Sequence, residues 1–178
     1  MGQQDTLIPS HPHLSGFVYA FGQVLNHDLQ LTRGGTSEFI AMTTPSDDPY
    51  FHGQVLQTLF RSSFDPNTGL EVTNPRQQVN AVTSFLDASN VYGSDQDRAD
   101  VLRERVGDGL AARLITSGAE NFLPTAAMID VEIDPTDGYP INDLSKLYAA
   151  GDLRAGENAS LASLHTLFMR EHNRLVDQ

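Results

Sequence analysis

Two stretches with a helical apolar period lie near the ends of this chain, and the sequence between them is rich in residues that break helices. Over residues 12–30 the apolar positions Leu14, Phe17, Val18, Phe21, Val24 and Leu25 recur at the spacing of one helical face. A second, clearer stripe runs through Leu161, Leu164, Leu167, Phe168 and Leu175, with Glu157 and Asn158 near its start. Between them, residues 33–50 read as loop, with Gly34-Gly35 and a Pro45–Pro49 segment. Asn67-Thr68-Gly69 signals a turn, and residues 75–85 are predicted helical, opening on a proline. Residues 95–116 read as a helix burying Leu102, Val106, Leu110, Leu114 and Ile115, although Gly107 and Gly109 oppose it. Pro124, Pro135, Gly138 and Pro140 exclude a long helix over 121–143, where Asp134, Asp137 and Gly138 read as a turn. The expected fold is therefore mainly α with long loops. Such loops are unusual in a short chain unless they wrap a cofactor, an ion or further sequence. The second stripe meets no Gly or Asn stop, so its helix is expected to belong to something longer.

Composition narrows the function classes. With 178 residues, the chain fits one domain as a first expectation. It has 23 acidic against 11 basic residues, a net charge of -12. That balance lacks the basic footprint nucleic-acid binding needs and disfavours anionic membranes. No apolar run is long enough to span a bilayer. No charged leader followed by an apolar stretch opens the sequence, so no signal peptide is expected there. Cysteine is absent, which excludes disulfides, thiolate metal ligands and a cysteine nucleophile.

Three segments carry candidate chemistry, each with two readings. Gln23 and His27 are four apart and share a helical face; they are either a polar surface turn or a general base beside an amide that can bind a small ligand. Thr83, Asp87 and Ser89 offer hard oxygen ligands that suit Ca²⁺ if the segment is a loop, or else they are ordinary turn and cap residues. Arg154 and Glu157, three apart, are either an ion pair at a helix start or an oxyanion stabiliser beside a group that reaches a cofactor. His165 and His172 lie seven apart on the second stripe and read as structural.

The segments GQVLNHDL (22–29), PRQQVNAVTSFLDASNVYGS (75–94) and AGDLRAGENASLASLHTLFMREHNRL (150–175), in that order, closely resemble the animal haem peroxidase superfamily. The resemblance is to the myeloperoxidase- and peroxinectin-like group, and the expectation is a bacterial-type member. It implies haem b as cofactor, with His27 as the distal histidine, Gln23 as the distal glutamine and Arg154 as the distal arginine. It implies that Glu157 can form an ester to haem. Asp28, Thr83, Phe85 (through its carbonyl), Asp87 and Ser89 match a structural Ca²⁺ site. Asn26 stands where the family often has an ester-forming Asp, and Asn158 where myeloperoxidase has Met, so neither further haem link is expected. The resemblance makes residues 1–178 a partial peroxidase domain, the distal half, with the proximal histidine supplied by a C-terminal segment or a complementing chain. The implied substrates are hydrogen peroxide and a small reducing donor, phenolic or halide. The family points to an extracellular location, although the missing leader leaves the cytoplasm open. A fatty-acid dioxygenase-like enzyme of the same fold, and a non-catalytic calcium-binding or adhesion module or inactive fragment, are the alternatives.

Overall fold

A computed structural model describes residues 14–129, 131 and 144–178. The Asp134–Asp137–Gly138 turn lies outside the described residues. The chain divides into two compact units, one of residues 1–29 and 85–178 and the other of residues 30–84.

In the first unit, helix α1 (Phe17–Leu29) buries Ala20, Val24, His27 and Asp28. The last helix, α4 (Ala159–Val176), is capped by the Asn158 side chain, which accepts the Leu161 N–H at 2.9 Å. Ala20, Val24, Leu161 and Leu164 pack together as one small core where these helices meet. The rest of the α4 stripe is not buried, because the inward face runs through Leu161, Leu164, His165, Met169 and Asn173 instead. Leu167 and Leu175 remain 59% and 55% exposed.

Residues 95–116 do not form one helix. A short helix α3 (Gln96–Val101) gives way to a hairpin, here the second of two small sheets, of β3 (Arg103–Val106) and β4 (Gly109–Leu114). The spacing of four between Leu102, Val106, Leu110 and Leu114 suits one helical face, yet the hairpin buries only Leu102 and Leu114 and leaves Val106 and Leu110 exposed. Gly107 decides for the hairpin: its φ of 60° makes the tight turn that pairs Val106 with Gly109. Leu102 and Leu114 enter the larger core with Val91, Leu123, Ala150 and Met169.

The second unit holds the antiparallel pair β1 (Gly34–Thr43) and β2 (Val55–Ser62). The predicted loop over 33–50 is thus a strand for much of its length. Gly34-Gly35 marks a close approach rather than a break: a Cβ on Gly35 would stand 2.4 Å from the Arg61 carbonyl oxygen. Residues 75–85 are not helical. Their backbone bonds go elsewhere, with the Ala81 N–H donating to the Leu31 carbonyl and the Gln77 N–H to Thr68 Oγ1. The Asn67-Thr68-Gly69 turn is present, with Gly69 at φ 78°. The described residues therefore form a mixed α/β fold with two small antiparallel sheets, and the mainly α expectation is overturned.

Candidate functional site

The site is built on a second short helix, α2 (Ser89–Tyr92), which has no side-chain cap of its own. Asp28 on α1 supplies one. Its Oδ2 accepts the Ala88 N–H at 3.0 Å, and its Oδ1 accepts the Asn90 N–H at 3.0 Å and the Ser89 hydroxyl at 3.2 Å. A carboxylate there satisfies donors that a helix start leaves unpaired. It also holds Ala88 in the left-handed conformation (φ 61°), which costs an alanine about 1–2 kcal/mol. Asn90 returns the contact, donating its amide to the Val24 carbonyl at 2.9 Å.

The carbonyls of α2 then fix the segment before α4. The Gly151 N–H donates to Val91 and the Asp152 N–H to Asn90. Only glycine fits at 151, since a Cβ would meet Gly93 N and the Ser89 oxygen at 2.4 Å each. This docking sets Asp152, whose side chain is inaccessible to solvent, beside Arg154. The Arg154 Nε and NH2 donate to the two Asp152 oxygens at 2.9 and 2.7 Å, and the Arg154 N–H donates to Oδ1 at 2.7 Å. A further guanidinium N–H reaches the His27 carbonyl oxygen at 3.3 Å. Burial pushes the Asp152 carboxyl up, but the Arg154 hydrogen bonds and charge outweigh it and hold the group below its ordinary range.

His27, Gln23, Arg154 and Glu157 are brought together. His27 Nε2 stands 3.6 Å from Glu157 Oε2, and its Nδ1 3.8 Å from Asp152 Oδ1. Gln23 donates its amide to Glu157 Oε2 at 2.8 Å and accepts from Asn158 at 2.9 Å. Burial, followed by the Arg154 charge, lowers the His27 imidazole from 6.5 to about 4 against the pull of Asp152. The ring is therefore neutral at pH 7, and its approaches to the two carboxylates are not ion pairs at that pH. The arrangement can accept a proton at Nε2, on the side where Gln23 and Glu157 are partly open to solvent.

Among the expected calcium ligands, Asp28, Asp87 and Ser89 form one hydrogen-bonded run, since the Ser89 N–H also donates to Asp87 Oδ1 at 3.0 Å. Phe85 begins this stretch and is 70% exposed. Thr83 belongs to the unit of residues 30–84. Among the described residues no group of three or more His, Asp or Glu side chains is gathered as a metal site.

Sequence reasoning missed three contributors. Asp152 and Asn90 carry no periodic signal, since their importance lies in what tertiary docking buries. His165 is noticed only as a helix residue, yet it is 1% exposed.

The family model "Animal haem peroxidase" matches residues 1–178. The chain belongs to the animal haem peroxidase family. Human thyroid peroxidase is 36% identical over 97% of the chain, which spans 22% of that protein. The Caenorhabditis elegans peroxidasin homolog pxn-2 is 31% identical over 94% of the chain, which spans 15% of it. The chain thus covers less than a quarter of either relative. These and further matches from mouse, rat and dog are animal proteins, which corrects the expected bacterial-type affiliation. Among solved structures, peroxidase A of Dictyostelium discoideum superposes with a TM-score of 0.79 at 24% identity, over 98% of the chain and 35% of that protein. The Arabidopsis thaliana fatty acid alpha-dioxygenase does so with 0.62 at 19%, over 98% of the chain and 23% of its own. At these identities both likenesses establish the fold alone: one shared by haem peroxidases and fatty-acid dioxygenases.

The donor sets suit both groups the family implies. A neutral imidazole with one nitrogen toward a carboxylate and an amide, backed by a buried guanidinium, suits the distal side of a haem. The oxygen donors of Asp28, Asp87 and Ser89 are of the hard kind that calcium prefers. Among the described residues no helix is long and apolar enough to cross a membrane.

Proposed function

We propose that this chain forms the distal side of a haem-dependent peroxidase, reducing hydrogen peroxide while oxidising a phenolic or halide donor, with calcium as a structural ion. The observation that carries this reading is the convergence of His27, Gln23, Arg154 and Glu157 on one part of the first unit. His27, Arg154 and Glu157 would line the haem b, with Glu157 the residue able to form an ester to it. The bound haem supplies the redox equivalents for O–O cleavage.

The chain's own residues manage protons and charge. His27, neutral at pH 7, accepts a proton from peroxide at Nε2 and returns it to the departing oxygen. Gln23 presents an amide next to that nitrogen's side of the ring and orients the peroxide or a water. Arg154 places a fixed positive charge near the developing oxyanion, and Asp152 holds the guanidinium so that little reorganisation is needed. Asp28 adjoins His27, so a calcium ion held by Asp28, Asp87, Ser89 and the Phe85 carbonyl would stiffen the end of α1 that presents the base. The same family resemblance supports an extracellular setting.

The test is reconstitution with haem and calcium, followed by an absorption spectrum and a peroxide-dependent phenol oxidation assay. A haem band that persists in His27→Ala while turnover falls supports the proposal. Calcium binding with no haem band would instead indicate a non-catalytic module. Oxygenation of a fatty acid, with no peroxide-driven phenol oxidation, would favour the dioxygenase reading that shares this fold.

A further inference from the structure

Three buried ring nitrogens in the first unit have no hydrogen-bond partner among the protein atoms: His27 Nδ1 and both nitrogens of His165. Such groups are rare, because an unsatisfied buried donor or acceptor costs about 1–3 kcal/mol. A neutral imidazole always has one N–H to give and one lone pair to fill. The orphan atoms belong to one region. His27 follows Val24 by three residues on the buried face of α1, and His165 follows Leu161 by four on the buried face of α4. Val24 and Leu161 are members of the same small core.

The surroundings are polar rather than dry. Asp152, with no accessible side chain, approaches His27 Nδ1 at 3.8 Å, too far for a hydrogen bond. Asp152 and Asp28 favour the charged form of His165, and His27 and Arg154 oppose it, so all four charges or rings bear on this imidazole. Burial dominates, and the ring stays neutral at pH 7.

We propose that His165 is a positioning residue for His27, acting through an internal water that accepts the His27 Nδ1 proton and donates to the unprotonated nitrogen of His165. The second water proton faces the Asp152 carboxylate, giving the water three partners, the usual number for a buried one. The consequence is a fixed tautomer. With Nδ1 protonated and engaged, Nε2 of His27 carries the lone pair on the side facing Gln23 and Glu157. The functional meaning rests on the reading of His27 as proton acceptor; the coupling of the two rings does not.

Ring-nitrogen NMR on the full chain at pH 7 tests this without haem or peroxide. In the wild type, His27 should give one well-separated protonated and one bare nitrogen signal, with a cross-peak from its N–H to a long-lived water. His165→Phe keeps shape but removes both nitrogens. It should change the His27 tautomer ratio by roughly fivefold to tenfold, drawing its two signals together. His165→Gln, which restores a polar partner, should separate them again. A simple packing role for His165 predicts that Phe leaves the His27 signals unchanged, and that result overturns the proposal. Should the Phe variant not fold, absence of any water cross-peak at either ring in the wild type overturns it equally. Failure here would leave the peroxidase reading standing, whereas intact coupling with no peroxide chemistry would defeat only that reading.

Discussion

Each unit contains a two-pronged pairing of arginine with a carboxylate, and the two do different jobs. Arg154 and Asp152 meet where the side chains are 11% and 0% exposed. Arg76 and Glu38, in the β1–β2 unit, bond at 2.9 and 3.0 Å with side chains 30% and 44% exposed. Water screens the second pair, which adds little beyond the stacking of Arg76 over the Phe64 ring at 3.9 Å. The first pair has been removed from water, so neither member can be lost without stranding the other. Of the two pairs, the buried one lies where the candidate chemistry is and the hairpin unit's lies at the surface.

Removing Asp152 should separate the two regions most sharply. Asp152→Ala strands a buried guanidinium and is expected to destabilise the first unit by about 3–5 kcal/mol, read by urea denaturation. Gly151→Ala should come close behind, because its methyl would overlap the α2 backbone. Recovery of the wild-type midpoint in either variant would mean that the segment is not docked as described.

Acid should act next. His27 and His165 both fall from 6.5 to about 4 in the folded chain. Between those values the unfolded state binds more protons, so stability is complete above about pH 6.5 and declines as pH falls toward 4. For His165 alone the loss is roughly 3 kcal/mol. Melting temperature measured from pH 7 to pH 4 checks the sign, and His165→Phe should flatten the slope.

Asp28→Ala should cost about 1–3 kcal/mol by uncapping α2, and should also weaken calcium binding measured by calorimetry. The smallest effect belongs to the other unit. Glu38→Gln should leave the denaturation midpoint unchanged within error, and a clear shift there would undo the contrast between the pairs.

How much of this was legible in the sequence depends on the kind of signal. Helices α1 and α4 announce themselves through apolar periodicity. The strands do not: Gly34-Gly35 looks like a break but serves a close approach to Arg61, and the helical spacing from Leu102 to Leu114 is broken by the turn at Gly107. Local spacing alone left Gln23, His27, Arg154 and Glu157 ambiguous, and only the resemblance of three ordered segments singled them out. Asp152, Asn90 and His165 escaped because burial and pairing across distant segments give them their roles, and no short-range pattern encodes that.

The central claim is that His27 is the proton acceptor of a peroxide-cleaving pocket. The most direct measurement is the rate at which the haem-reconstituted protein reacts with hydrogen peroxide, compared between wild type and His27→Ala by stopped-flow absorption. A loss of about 10²–10⁴-fold is the predicted result. Equal rates in the two proteins would contradict it.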